Sequence, residues 1–435
     1  MTKTPSYLSF ILVAAAIIAI LFYLNIFLGP TIGGDTEWYI AAANGRLNEL
    51  IEPYSGRFLH PFLVGLIAKN FSMTIEQGFL IVGIASVFLF LIINILLLKK
   101  ILQSSLLLFP LFLSPYFFNT LREIFEPDAF YIFLSALFFL LLLYKMERAG
   151  LFTVFFLFLA RETTVILGLM YAGMTWFLSK KKLLVITIIA VMGVSFYLTG
   201  IMKSIGRPNI HNLSGSAYMV SKLSYNFLTN VAGMKLWINT TNICEPAFKL
   251  SLPANKSLGN VREIGFCGFN LSLPLKALIT LLSIFGAAPL IVFYVFLKKR
   301  RDIFKNFSFG FLLILGYGLA HYLIGIFAGT GIGRIVGYSW PMFLVAGPVF
   351  LSIFFETERK FIFKLSLVQL LAVWLPFVVY RINGDGTGSL ILIILAISTA
   401  YFYSFNMIKK QELKGGIDAG KLPAIFKNQE SLPSN

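Results

Sequence analysis

The chain has 435 residues, of which 58% are hydrophobic and only 13% are charged, and its mean hydropathy is +0.83. Soluble domains carry about 25% charged residues, so this composition excludes a soluble globular protein and predicts an integral membrane protein. Apolar runs of about 20 residues, the length of a bilayer-spanning helix, recur from end to end. The runs are continuous and do not alternate with polar residues, which indicates helices rather than a closed barrel.

The formal net charge of +17 does not indicate nucleic-acid binding, because much of it lies in short basic clusters beside apolar runs. Such clusters mark the cytoplasmic ends of membrane helices. One orientation, with Lys3 inside, accounts for every cluster, including Lys99–Lys100, Lys180–Lys182 and Lys298–Arg301. We therefore predict an all-α polytopic protein with about eleven to thirteen transmembrane segments, in a bacterial inner membrane or plasma membrane.

The same pattern predicts the organisation of the chain. Residues 1–202 form an N-terminal transmembrane module, and its two acidic external loops cover residues 29–61 and 119–128. Three further parts follow along the chain. They are an extracytoplasmic loop subdomain at 203–270, C-terminal transmembrane helices at 271–407 and a cytoplasmic tail at 408–435.

Cys244 and Cys267, the two cysteines of the chain, both lie in the extracytoplasmic subdomain. A single pair in one segment that faces an oxidising compartment predicts a disulfide. Two free thiols are the alternative. A closed zinc site is not predicted, because the two cysteines have no clustered histidines beside them.

The apolar run from Leu151 to Leu178 is interrupted by Arg161 and Glu162, and it begins and ends beside basic residues of the cytoplasmic type. A charge at the centre of a bilayer costs about 2.5–3.5 kcal/mol. We therefore favour two short half-spans, with the two charges at their external tip. One long helix with a buried ion pair is the alternative.

Four polar clusters are predicted to lie on the external side, and two aromatic residues lie near the ends of the helices that bear them. The clusters are Asp35 and Glu37 with Arg57 and His60; Arg122, Glu123, Glu126 and Asp128; Arg161 and Glu162; and Arg334 with Arg381 and Asp385, while the aromatic residues are Tyr338 and His321. A carboxylate can take a proton from an attacking hydroxyl, and guanidinium groups match a phosphate. The clusters therefore suit a substrate with a phosphate at headgroup level and an apolar tail in the bilayer.

Three features together resemble the GT-C superfamily of membrane glycosyltransferases. They are an acid soon after the first helix (Asp35), the second-loop sequence Glu126-Pro127-Asp128 and the charged tip Arg161-Glu162, and they cover about residues 1–180. The resemblance implies transfer of a sugar from a polyprenyl-phosphate-linked donor on the outer face of the membrane. The chain has no Trp-Trp-Asp motif, which argues against an oligosaccharyltransferase and favours a transferase of single sugars.

The resemblance implies that Asp35 acts as catalytic base or positions the acceptor, and the role of base is expected here, with Asp128 or Glu126 as the second acid. The residues expected at the donor phosphate are Arg57, Arg161, Arg334 and Arg381, and further candidates are Glu37, His60, Glu162 and Tyr338. Glu37 could instead be a surface charge, and a structural role is favoured for His60, which precedes a proline at a helix start.

The expected partners are the polyprenyl-phosphate sugar, membrane lipid and a glycan, lipid-linked glycan or protein acceptor. No cofactor is certain and no metal ligands are predicted, although a divalent cation (Mg²⁺ or Mn²⁺) could share the stabilisation of the leaving phosphate.

Two other functions fit a chain of this type. A polymerase of O-antigen or another polysaccharide would depend on basic residues of the large external loop, Arg207, Lys222 and Arg262. A flippase for lipid-linked sugars, or another transporter, usually has internal repeats and ionisable groups near mid-membrane. The chain shows no such repeat, and its charges are predicted at one face.

Overall fold

The computed structural model describes most of the chain. The described ranges are 7–28, 35–98, 115–208, 215–240, 244–253, 259–286, 288–327, 332–355, 359–383, 387–410 and 422–427. The apolar run Ile101–Phe118, which the sequence predicts to be a membrane segment, lies mostly outside the described residues, and so does Asp385. The described chain is mostly helical, because its long runs of Leu, Ile, Phe and Val satisfy their own backbone hydrogen bonds in a helix.

The N-terminal half holds helices of very different length. They are α1 (Tyr7–Leu28), α2 (Thr36–Ala43), α3 (Leu59–Asn70), α4 (Ile75–Leu98), α5 (Pro115–Arg122), α6 (Asp128–Leu143), α7 (Glu147–Ala160), α8 (Thr164–Met174) and α9 (Lys182–Ile205). A π-helical turn, Thr175–Ser179, continues α8. The short helix α2 lies within the first acidic loop that the sequence predicts, and α3 begins at the end of that loop.

The polar segment, residues 203–270, contains helix α10 (Gly215–Asn230) and a small antiparallel sheet. Its strands are β1 (Met234–Ile238), β2 (Phe248–Ser251) and β3 (Glu263–Phe269), in the order β1-β3-β2. Cys244 and Cys267 form a disulfide with a Cα–Cα distance of 6.3 Å. Hydropathy does not predict this sheet, because its strands are short and lie among polar residues.

The C-terminal part is helical again. Its helices are α11 (Ser272–Ser283), α12 (Ala288–Asn306), α13 (Phe309–Ile324), α14 (Ile332–Gly337), α15 (Gly347–Phe354), α16 (Arg359–Asn383) and α17 (Thr387–Lys410). A π-helical segment, Pro341–Ala346, joins α14 to α15. Helices α11 and α12 meet at a bend of 73°.

Among the described residues, five helices are long and apolar enough to cross a membrane, or six if the bent pair α11 and α12 is one span. The described ranges also hold four shorter apolar helices, Leu8–Tyr23, Asp128–Leu143, Thr164–Ser179 and Phe363–Pro376. The prediction of a helical membrane protein is confirmed, while the total of about eleven to thirteen segments stays a prediction.

The spans differ in how much of their surface is covered by other helices. In the span Ile332–Phe354, 83% of the apolar window is buried, against 22% in the span Lys182–Ile205. The first span is therefore the centre of the bundle. The second lies at its periphery, with most of its side chains free to contact lipid.

Helices α7 and α8 form a hairpin. Glu147 begins α7, and its carboxylate bonds at 2.5 Å to the amine of Lys181, which follows the π-helical end of α8. The start of α7 therefore lies beside the end of α8. Residues 161–163, which connect the two helices, must lie at the opposite end of the hairpin. This arrangement matches the predicted half-spans. Below, the tip of the hairpin means Arg161 and Glu162, and its base means Glu147 and Lys181.

One close approach in the bundle requires a glycine. A Cβ atom at Gly337, the last residue of α14, would overlap the ring of Tyr116 in α5. Helix α14 and the ring are therefore in direct contact. By contrast, a Cβ atom at Gly193 in the peripheral helix α9 would have no neighbour within 4 Å.

We expect Gly337→Ala to lower the free energy of unfolding by about 1–3 kcal/mol, the usual cost of overpacking. The matched control, Gly193→Ala, should be neutral or stabilising by up to about 1 kcal/mol, because alanine is the better helix former. Thermal unfolding in detergent measures both. Equal melting temperatures for the two variants would contradict the contact between α14 and α5.

Candidate functional site

The most deeply buried ion pair of the described chain joins the hairpin tip to the start of α6. Arg161 is 3% exposed and Asp128 is 1% exposed, and Nη1 of the arginine bonds to Oδ2 of the carboxylate at 2.7 Å. The hydroxyl of Tyr338 donates to Oδ1 of Asp128. Asp128 is also the first residue of α6, where the helix dipole favours a negative charge. Both carboxylate oxygens therefore have partners inside the protein.

A second ion pair lies beside the first, because Glu162 is the next residue of the tip. Arg57 donates to both oxygens of Glu162, with Nε at 2.8 Å, and its Nη1 donates to the hydroxyl of Tyr39 at 3.1 Å. Burial alone would raise the pKa of Glu162, but the charge and hydrogen bonds of Arg57 hold it well below its usual range. This carboxylate is therefore ionised at any physiological pH.

Asp35 lies at the N-terminus of α2 and accepts a hydrogen bond of 2.6 Å from the hydroxyl of Tyr54. The ring of Tyr54 stacks on Trp38 and contacts Tyr39 edge-on, with centroid distances of 6.3 and 5.7 Å. Asp35 is only half-buried. Of the predicted acids of the first loop, it is the one that is both held by a neighbour and open to a substrate.

A cavity of about 490 Å³ lies next to the buried pair. One wall is polar and consists of Asn119, Thr120, Glu123, Glu126 and Arg334. The rest of the lining comes mainly from α11, from Ile284 directly after it and from α16. It holds the apolar residues Ile279, Ile284, Val373 and Pro376, together with Thr280 and Ser283. Tyr116, which contacts α14, also lines the cavity. The arrangement suits a ligand with a polar head and an apolar tail.

Two glutamates of the polar wall have different environments. Glu126 forms an ion pair with Arg334. Glu123 is partly buried, and this burial raises its pKa above the usual value, although Arg334 opposes the shift. A carboxyl group in a cleft with a raised pKa is typical of a general acid or base. The sequence places Glu123 in a polar cluster but does not predict it as a catalytic residue. Its spacing of three residues from Glu126 is the feature of the sequence that could have indicated that the two lie together.

Asp35 does not line this cavity, but segment 123–128 connects the two. Tyr54 donates a hydrogen bond to Asp35, and its ring contacts the ring of Tyr39. Tyr39 in turn packs in an apolar cluster with Ile124 and Phe125. Glu123 and Glu126 of the same segment line the cavity. The segment is therefore a common wall between the first loop and the cavity.

The structure changes the roles of several predicted residues. Arg57 and Arg161 are 7% and 3% exposed and already bind carboxylates, so their geometry favours positioning over binding of a donor phosphate. The same argument applies to Asp128, whose oxygens are both occupied. Arg334, by contrast, lines the cavity, so a donor phosphate bound there would be within its reach.

Glu37 and the residues expected for a polymerase lie away from the cavity. Glu37 is exposed and lines a small outer cleft of about 280 Å³. Arg381 lies in α16, and its side chain is outside the described part of the structure. The residues expected for a polymerase, Arg207, Lys222 and Arg262, are all exposed, and none of them lines the cavity.

Within the described residues, no three His, Cys, Asp or Glu side chains are grouped as a metal site. Glu123 and Glu126 are the carboxylates on the cavity wall. Participation of a divalent cation stays a prediction.

Comparisons with protein-family models, with curated proteins and with solved structures give no match to this chain. The GT-C resemblance therefore rests on the short motifs around Asp35, Asp128 and Arg161. The geometry of the cavity and its ion pairs carries the functional argument.

His60 has a structural environment. Its imidazole is fully buried between the rings of Phe79 and Phe130, with centroid distances of 5.3 and 5.9 Å. Burial lowers its pKa from 6.5 to about 3, although the charge of Asp128 opposes this. The folded protein therefore keeps His60 neutral, while the unfolded chain binds a proton below pH 6.5.

We expect the free energy of unfolding to fall as the pH falls below 6.5, with His60 contributing about 1.4 kcal/mol per pH unit. His60→Phe keeps an aromatic ring and removes the titrating group. Thermal unfolding in detergent at pH 7.5 and 5.5 should therefore show a smaller loss of stability for the variant than for wild type. An unchanged pH dependence in the variant would show that His60 is protonated in the folded protein.

Proposed function

We propose that the protein is an integral membrane glycosyltransferase of GT-C type, which transfers a single sugar from a polyprenyl-phosphate-linked donor to an acceptor. In this proposal the protein lies in a bacterial inner membrane or plasma membrane, and the hairpin tip is on the extracytoplasmic side. The observation that carries it is the amphipathic cavity beside the buried Arg161–Asp128 pair and the partly buried Arg57–Glu162 pair. Its volume of about 490 Å³ lies within the usual range of ligand pockets, about 300–1,000 Å³.

The two walls of the cavity suit the two ends of such a donor. Arg334 offers a planar cation that matches a phosphate, and Asn119 and Thr120 add hydrogen-bonding groups. Ile279, Ile284 and Val373 offer an apolar surface for the first prenyl units. A soluble nucleotide sugar would leave this apolar wall without a partner.

The reaction in this site breaks the bond between the anomeric carbon and the phosphate oxygen. The acceptor hydroxyl forms the new bond to the anomeric carbon and gives its proton to a carboxylate. The leaving polyprenyl phosphate gains negative charge, which Arg334 stabilises more strongly in the transition state than in the ground state.

Two carboxylates are candidates for the proton acceptor. Asp35 is implied by the resemblance and is half-buried, with one hydrogen bond from Tyr54. Glu123 is supported by its position in the cavity and its raised pKa. Glu126 holds Arg334, and Asp128 with Arg161 fixes the segment that carries both glutamates.

The polar segment is attached beside the cavity. The side-chain amides of Asn226 and Asn230 in α10 donate to the backbone carbonyls of Phe327 and Ile326, at 2.7 and 2.8 Å. These carbonyls lie in the short 3-10 turn Gly325–Phe327 that follows α13, shortly before the helix that carries Arg334. We therefore assign acceptor binding to the space between this segment and the cavity.

Sugar transfer by the purified protein in liposomes tests the proposal, with a panel of short-chain polyprenyl-phosphate sugars as donors. Replacement of the catalytic base, by Asp35→Asn or Glu123→Gln, should lower turnover by about 10²–10⁴-fold with donor binding retained. Glu37→Gln, which removes an exposed carboxylate from the helix that follows Asp35, is the matched control and should leave turnover unchanged.

The variant that loses turnover identifies the base. Full activity in both variants would exclude the two carboxylates from this role. Donors that bind to wild type but are never consumed with any acceptor would contradict the transferase and favour a flippase.

A further inference from the structure

Two cavities meet at the base of the hairpin, at the opposite end from Arg161 and Glu162. The first measures about 530 Å³ and has several charged side chains in its wall. The second measures about 470 Å³ and is almost entirely apolar. Leu178, Phe304 and Leu312 line both of them. The two spaces are therefore parts of one amphipathic site, which we name the base site.

The first cavity carries an excess of positive charge. Three lysines, Lys145, Lys181 and Lys427, and one glutamate, Glu147, line it, which gives the lining a formal net charge of +2. The hydroxyl of Tyr171 is also in its wall. It belongs to a fully buried side chain and has no hydrogen-bond partner among the described residues. A buried hydroxyl normally has a partner, and an anionic oxygen in the cavity would supply one.

The second cavity is a groove that opens towards lipid. Its wall includes Met170, Met174 and Gly316 from the packed interior. It also includes Leu169 and Phe177, whose side chains are 62% and 76% exposed. An apolar chain could therefore enter this groove directly from the bilayer.

A segment near the end of the chain completes the first cavity. The carbonyl of Phe426 accepts a hydrogen bond of 2.7 Å from the backbone N–H of Ser308. The Phe426 ring is fully buried and contacts Phe311, with a centroid distance of 5.4 Å. This anchor holds the neighbouring Lys427 in the cavity wall.

We propose that the base site binds one anionic phospholipid. The phosphate lies among the lysines and accepts a hydrogen bond from Tyr171, while an acyl chain occupies the apolar groove. Lysines near a membrane surface attract anionic lipid headgroups. A soluble anion would use the first cavity alone and leave the groove unfilled. This binding does not depend on glycosyl transfer, since the two sites lie at opposite ends of the hairpin.

Gly173 offers a substitution that fills the groove without disturbing the helix packing. It lines the groove, and a Cβ atom there would have no neighbour within 4 Å. Gly173→Leu should therefore occupy the space of the acyl chain. Gly193→Leu is the matched control, because Gly193 is equally open and lines neither cavity. Lys427→Gln removes one positive charge from the wall.

The test is retention of added lipid by the purified protein, measured by native mass spectrometry with phosphatidylglycerol and phosphatidylcholine. Wild type and Gly193→Leu should retain phosphatidylglycerol at least about fivefold better than phosphatidylcholine. Gly173→Leu should lose this preference, and Lys427→Gln should weaken phosphatidylglycerol binding by about fivefold. Thermal unfolding with added lipid should follow the same order, because a ligand of the folded state stabilises it.

Four results would overturn the proposal. One is equal retention of the two phospholipids by wild type. Another is wild-type retention of phosphatidylglycerol by Gly173→Leu. The third is stronger retention of a short-chain polyprenyl phosphate than of phosphatidylglycerol, which would assign the base site to a different lipid. Inorganic phosphate serves as a soluble probe. If it raised the melting temperature as much as phosphatidylglycerol does, the base site would bind a soluble anion and not a lipid.

Discussion

Asp128 and Arg161 form an ion pair that is almost completely removed from solvent. Burying two charges costs several kcal/mol per ion, and only good geometry and further hydrogen bonds offset this cost. Here Tyr338 supplies a hydrogen bond to Asp128, and the guanidinium of Arg161 lies 5.3 Å from the centre of the same tyrosine ring. The pair joins the hairpin tip, the start of α6 and the central span, so the arrangement of the candidate site depends on it.

The rest of the site follows from this junction. Asp128 ends segment 123–128, whose glutamates line the cavity and whose apolar residues pack towards Tyr39. Glu162 extends the junction to Arg57 and thereby to the first loop. The positioning charges are thus each held in an ion pair and are mostly buried, whereas the groups suited to chemistry, Asp35, Glu123 and Arg334, keep partial exposure. This division matches the usual separation between a rigid support and the reacting groups.

Much of this arrangement could be predicted from sequence, and the limits have physical causes. The long apolar runs predict helices. The cost of placing a charge in lipid predicts that Arg161 and Glu162 divide one apolar run into two short helices, α7 and α8. The sequence also brings acids and arginines to one region. It does not say which of them neutralise each other, because pairing joins residues as distant as Arg57 and Glu162. For the same reason Glu123, rather than Asp128, proved to line the cavity. The small sheet and the base site depend equally on long-range contacts.

A double-mutant cycle on Asp128 and Arg161 tests the central role of this ion pair most directly. Asp128→Asn and Arg161→Gln should each lower the free energy of unfolding by about 3–5 kcal/mol, because each leaves an uncompensated buried charge. The double variant removes both charges and should be more stable than the sum of the single effects predicts, by about 1–3 kcal/mol. Strictly additive effects in thermal unfolding would show that the two residues do not interact, and would contradict this account of the site.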